Sequence, residues 1–91
     1  MKKIDKITVL SIGTTAESVK ISGLACTVQN TSDSASVYLK EKRYDGMDAS
    51  SSNGWVLAPG ETLPFPLTAM ELSLAASAAD TDVRIMILEE D

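Results

Sequence analysis

The chain has 91 residues, with 13 acidic and 8 basic side chains, no histidine, one cysteine, and 44% hydrophobic but only 4% aromatic residues. That length sustains one domain, residues 1–91, whose core leaves little area for a deep pocket. Without histidine the commonest general base and metal ligand are missing, and the lone Cys26 makes neither an intrachain disulfide nor a cysteine zinc site, so most enzyme classes drop out.

The formal net charge of −5 argues against nucleic acid or an anionic membrane surface as partner. The charge is uneven along the chain. Residues 1–43 hold Lys2, Lys3, Lys6, Lys20, Lys40, Lys42 and Arg43 against four acids, whereas residues 44–91 hold nine acids against Arg84. Two readings stay open: two solvated faces of a monomer, or complementary surfaces for head-to-tail assembly. The apolar run Ile7–Ile12 is too short and too polar for a signal-peptide core or a membrane span, so synthesis and retention in a cytoplasm are expected.

In chain order, Ile7–Ile12 reads as a first strand closing at Gly13-Thr14-Thr15, and Val19-Lys20-Ile21 as a short second closing at Ser22-Gly23. Leu24–Val28 places Leu24, Cys26 and Val28 on one face. The polar cluster Asn30-Thr31-Ser32-Asp33-Ser34 is a turn, and its Asn-Thr-Ser acceptor pattern is read as turn chemistry, not glycosylation. In Ser36–Glu41, Val37 and Leu39 point one way and Tyr38 and Lys40 the other. Residues 44–54 have no apolar period and form the longest loop, after which Trp55-Val56-Leu57 is extended again.

Ala58-Pro59-Gly60-Glu61 predicts a type II turn, with proline presetting the second position and glycine accepting positive φ at the third. Pro64 and Pro66 lack amide donors, which assigns Thr62–Leu67 to a sheet edge. Residues 68–79 carry two patterns. Thr68-Ala69-Met70-Glu71 fits a helix capping box, but Met70, Leu72, Leu74 and Ala76 alternate strictly with Glu71, Ser73, Ala75 and Ser77. The alternation favours a hairpin of 70–77 with 82–89, whose second strand, apolar on both faces, is central. Turn clusters every eight to twelve residues predict an all-β fold, a small antiparallel sandwich or flattened barrel of about seven strands, with Val83, Ile85 and Ile87 packed among Val28, Val37, Leu39 and Leu57.

No constellation for catalysis, a cofactor or a metal stands out. Cys26 lies mid-strand with no histidine to activate it and reads as a small buried apolar residue. Asp45, Asp48 and Asn53, or Asp80 with Asp82, offer oxygen ligands to a cation but lack the twelve-residue calcium-loop spacing, and read as turn acids. Trp55 fits a buried core anchor. Alternatively Tyr44, Met47 and Trp55, in or beside the 44–54 loop, form an interaction surface, since tyrosine and tryptophan are enriched at interface centres.

The succession of a polar turn, a Val-Tyr-Leu strand, an Asp-Gly loop, Trp55-Val56-Leu57-Ala58-Pro59-Gly60-Glu61-Thr62 and a closing strand Val83–Glu89 resembles the short all-β accessory proteins encoded among the virion structural genes of tailed phages and prophages. The resemblance covers about residues 24–89. It implies a virion component of capsid-decoration, head-fibre or tail-accessory type that does no chemistry and docks multivalently on copies of itself and on a larger capsid or tail protein. The rival expectation is a small carbohydrate- or ligand-binding sandwich using Tyr44, Trp55 and the 44–54 loop.

Overall fold

Strict alternation of apolar and polar side chains produces strands with one face available for burial, and two sheets built from such strands exclude water by facing each other. The computed structural model describes residues 3–23, 25–42, 46–66 and 69–90. It contains β1 (Lys3–Ile12), β2 (Glu17–Ser22), β3 (Ala25–Asn30), β4 (Val37–Glu41), β5 (Trp55–Leu57), β6 (Thr62–Pro66), β7 (Ala69–Ala76) and β8 (Thr81–Glu90). All pairing is antiparallel, in two four-stranded sheets of order β1-β8-β3-β6 and β2-β7-β4-β5. This is the strand order of an eight-stranded jelly roll, a sandwich in which the chain passes repeatedly from one sheet to the other.

The inward positions are those the alternation predicts. Val28, Val83 and Ile85 of one sheet meet Val37, Leu39, Leu57, Leu72, Leu74 and Ala76 of the other, with Ile12, Ile21 and Cys26 completing the buried cluster and Ile87 packed at its margin. Within the sheets the same residues oppose one another across strands, Val28 with Ile85 and Leu39 with Leu74. The strand β8 is central, between β1 and β3, and the proline-bearing β6 is an edge, both as expected.

The sandwich has eight strands where about seven were expected, and one expected pairing fails. Residues 69–76 are strand and not helix, but β7 and β8 do not form a hairpin: they lie in opposite sheets, and Ser77–Asp80 carries the chain between them. Period-two alternation identifies each strand and its inner face but holds no information about the hydrogen-bonding partner. The crossing is fixed by contacts distant in sequence. The Ser36 amide donates to Ser77 Oγ at 2.9 Å, the Ser77 amide donates to the Ser36 carbonyl, and the Ala76 amide donates to the Gly13 carbonyl. Asp80 takes positive φ (56°) at the corner, and Thr81 Oγ1 donates to the Ala78 carbonyl. Leu24 of the predicted third strand, Leu67 at the end of the predicted edge segment and Thr68, the first residue of the alternative capping box, lie outside the described residues.

The predicted type II turn is present. Gly60 has φ +80°, and the Glu61 amide donates to the Ala58 carbonyl at 3.0 Å. The turn docks on Asn30, which is fully buried. Its amide nitrogen donates to the carbonyls of Ala35 (2.8 Å), Leu57 (3.1 Å) and Ala58 (3.2 Å), and its side-chain oxygen accepts from the Ser32 amide at 3.0 Å. Its backbone donates to the Glu61 carbonyl and accepts from the Gly60 amide.

Two predictions follow from the core and from this end of the sandwich. Ile85→Ala should cost about 2–5 kcal/mol, read as a lower urea midpoint at unchanged slope; an unchanged midpoint would mean that Ile85 is not a core residue. Thr31 Oγ1 lies 2.6 Å from Asp82 Oδ2, and this hydrogen bond, aided by the Arg84 guanidinium, holds the Asp82 carboxyl below its ordinary value of 3.8. Because the folded-state value is the lower one, the stabilisation is fully present above the ordinary carboxylate value and fades as pH falls through the folded one. Thr31→Val should therefore lower the urea midpoint at neutral pH and make the acid limb of the stability profile shallower.

Candidate functional site

The described part of the long loop, residues 46–54, is built on the outer face of the second sheet. There β7 presents Ser73 and Ala75, small residues that are both buried although their inward neighbours Leu72, Leu74 and Ala76 fill the core. They are buried because the loop covers them: the Ala49 amide donates to Ser73 Oγ at 2.9 Å, and Ala49 itself is buried. A leucine at 73 or 75 would leave no room for this approach.

The loop is anchored at both ends. Lys42 Nζ pairs with Asp48 Oδ1 at 3.0 Å, an exposed contact that raises the lysine pKa, and the Gly46 amide donates to the Lys42 carbonyl. Further on, Ser50 and Asn53 exchange backbone hydrogen bonds around a tight turn, and the Asn53 side chain donates to the Asp48 carbonyl at 3.2 Å. Gly54 has φ +127°, and a Cβ there would lie 2.7 Å from the Leu39 carbonyl oxygen, so only glycine lets the chain graze β4 before entering β5.

The residues put forward from the sequence fall differently. Trp55 is 71% exposed, so it is not a core anchor. Although opposite Leu39 in register, it stands at the open end of the three-residue edge strand β5, where the opposing sheet does not cover it. Its neighbour Val56, which the sequence reading did not single out, is 56% exposed, and Met47 in the loop is 57% exposed. Tyr44 and Asp45 lie outside the described residues. Asp48 is engaged by Lys42, and Asp82 by Thr31 and Arg84. No group of three acidic, cysteine or histidine residues suited to a metal occurs among the described residues. Cys26 is buried, which pushes its thiol up to about 11 and keeps it protonated and unreactive at neutral pH.

Between the loop and the sheet runs an open groove of about 380 Å³, rimmed by Thr14, Tyr38, Ser50, Ser51 and Ser77 over Ala75 and Ala76. It offers five hydroxyl groups and no charged side chain. Tyr38 supplies its aromatic surface, and Trp55 takes no part in it. A signal for this groove existed in the sequence, in the small residues Ala75 and Ala76 that end β7.

The basic and acidic stretches of the chain are neighbours in the sheets. Each pairing of strands in both sheets joins one strand from residues 1–43 to one from residues 44–91: β1 and β3 to β8, β3 to β6, β2 and β4 to β7, and β4 to β5. Lys20 is thereby opposite Glu71 in register, and Lys42 pairs with Asp48. The basic and acidic stretches of the sequence are thus brought side by side in both sheets.

No protein-family model, no curated protein and no solved structure matches this chain.

Ser73→Ala should leave the buried Ala49 amide without its acceptor. The expected cost is about 1–3 kcal/mol, with hydrogen exchange at Ala49 accelerated while the amides of β3 and β8 keep their relative protection. Exchange at Ala49 unaffected by the substitution would mean that the loop is held by its ends alone.

Proposed function

We propose that this protein is a non-enzymatic structural module of a tailed-phage or prophage virion, of decoration, head-fibre or tail-accessory type, which associates with itself and docks on a larger capsid or tail protein. The observation that carries the reading is the distribution of exposed apolar side chains. Trp55 and Val56 on β5 and Ile7 and Val9 on β1 lie on edge strands at the margins of the sandwich, where a neighbouring subunit is met first. The jelly-roll order supports it by analogy, since viral capsid domains use this architecture; lectins use it too, so the analogy alone decides nothing. In this reading the protein is made in the bacterial cytoplasm and resides in the virion.

A second reading rests on the groove. Its uncharged, hydroxyl-rich rim and the half-buried Tyr38 suit a neutral polyhydroxyl ligand such as a sugar. Glycan-array binding abolished by Ser77→Leu and retained in Trp55→Ala would favour it, and an array with no binder would remove it.

Docking is tested with purified capsid and tail proteins encoded beside this gene. Met47→Ser with Trp55→Ser should weaken binding at least tenfold without changing the circular dichroism spectrum. Because apolar contacts carry the docking in this reading, the association rate should respond only weakly to salt. Undiminished binding by the double variant would dismiss this surface, and a steep salt dependence would restore charge as the docking force.

A further inference from the structure

The four edge strands of the sandwich are not equally protected. The strand β6 carries Pro64 and Pro66, which have no amide to donate; β2 carries Glu17 and Lys20; and β5 is only three residues long. Each is a recognised guard against pairing with a stray strand. The fourth edge, β1, has ten residues, and its second half, Ile7-Thr8-Val9-Leu10-Ser11-Ile12, contains no charge, proline or glycine. Among the described residues β1 pairs with β8 alone, leaving the backbone donors and acceptors of its other side without a strand partner. On this edge Ile7 is 63% and Val9 59% exposed.

The geometry points to antiparallel pairing of this edge with the β1 edge of a second copy about a two-fold axis through Thr8. The occupant follows from self-complementarity. A two-fold axis normal to the sheet keeps outward residues facing outward residues, so successive allowed registers are centred on Ile7, Thr8 or Val9. Centring on Ile7 sets Val9 opposite Asp5, and centring on Val9 sets Ile7 opposite Ser11. Centring on Thr8 sets Ile7 opposite Val9 twice, aligns residues 4–12 of both strands and brings no charged position opposite another. Two exposed β-branched pairs then cover each other across the new ladder, and the two four-stranded sheets become one of eight strands. This contact deepens the proposed function, since it supplies the self-association which that reading requires, and it leaves Met47, Trp55 and Val56 for a different partner.

The register gives the test. Directly opposed antiparallel residues have Cα atoms about 4.5–5.5 Å apart, within disulfide reach, whereas Ile7 or Val9 and its own symmetry mate are offset by two residues and lie beyond it. Single-cysteine variants Ile7→Cys, Thr8→Cys and Val9→Cys, with the buried Cys26 left in place, are oxidised mildly and run without reductant. Thr8→Cys should cross-link at least tenfold faster than the other two. Light scattering on the eluting wild-type protein should give twice the 9.7 kDa chain mass, falling to one chain in the Ile7→Lys, Val9→Lys double variant with an unchanged circular dichroism spectrum. Cross-linking that is equal at the three positions, or faster at 7 or 9, overturns the register. A dimer that survives both lysines but dissociates on Trp55→Ser overturns edge pairing and leaves self-association standing. A wild-type monomer at about millimolar concentration that still binds capsid or tail protein overturns this inference and leaves lattice docking standing.

Discussion

The buried side chain of Asn30 is the interaction on which the architecture turns. Its amide nitrogen has two hydrogens and three carbonyl oxygens within reach, at Ala35, Leu57 and Ala58, so one hydrogen is shared. These carbonyls belong to the end of the 31–35 turn, the end of β5 and the start of the 58–61 turn. With the backbone bonds from Asn30 to Gly60 and Glu61, one residue closes the end of the sandwich where the chain leaves each sheet for the other. A crossover exposes backbone groups that no ladder satisfies, and burying them without partners is costly. An asparagine whose acceptor organises its own turn, and whose donors tie that turn to the junction of β5 with the 58–61 turn, meets that demand within a small volume. Thr31 extends the arrangement to β8 through Asp82.

A second constraint is volume. The strand β7 is buried on both faces from Leu72 to Ala76, with Leu72, Leu74 and Ala76 toward the core and the small Ser73 and Ala75 toward the loop. Core packing sets the first choice and the closeness of Ala49 sets the second. The same loop must pass the Leu39 carbonyl at Gly54, where no side chain fits. The groove between loop and sheet and the exposed position of Trp55 are both outcomes of this fit, because the loop lies over the middle of the sheet and delivers the chain to its edge.

These features bear on function through what they leave at the surface. The fold buries its one thiol and engages Asp48 with Lys42 and Asp82 with Thr31 and Arg84. Among the described residues, the large apolar side chains left exposed lie mainly on the edge strands β1 and β5. In the proposed function, affinity comes from buried apolar contacts and ladder hydrogen bonds.

The sequence by itself located the strand segments to within a few residues, although it predicted about seven strands where there are eight, together with the inward residues from Val28 to Ile85, the type II turn at Ala58–Glu61 and the edge position of the proline strand. All of these depend on local properties: the alternation of Cβ direction, the fixed φ and missing donor of proline, and the positive φ open to glycine. It did not determine which strands pair, so residues 70–77 and 82–89 read as a hairpin when they belong to opposite sheets. Nor did it reveal that Trp55 stands in solvent, that Ser73 is covered, or that the basic and acidic stretches interleave. Only the tertiary structure decided these, because backbone hydrogen bonds carry no residue identity, and the choice of partner emerges when every strand must reach one shared core at once.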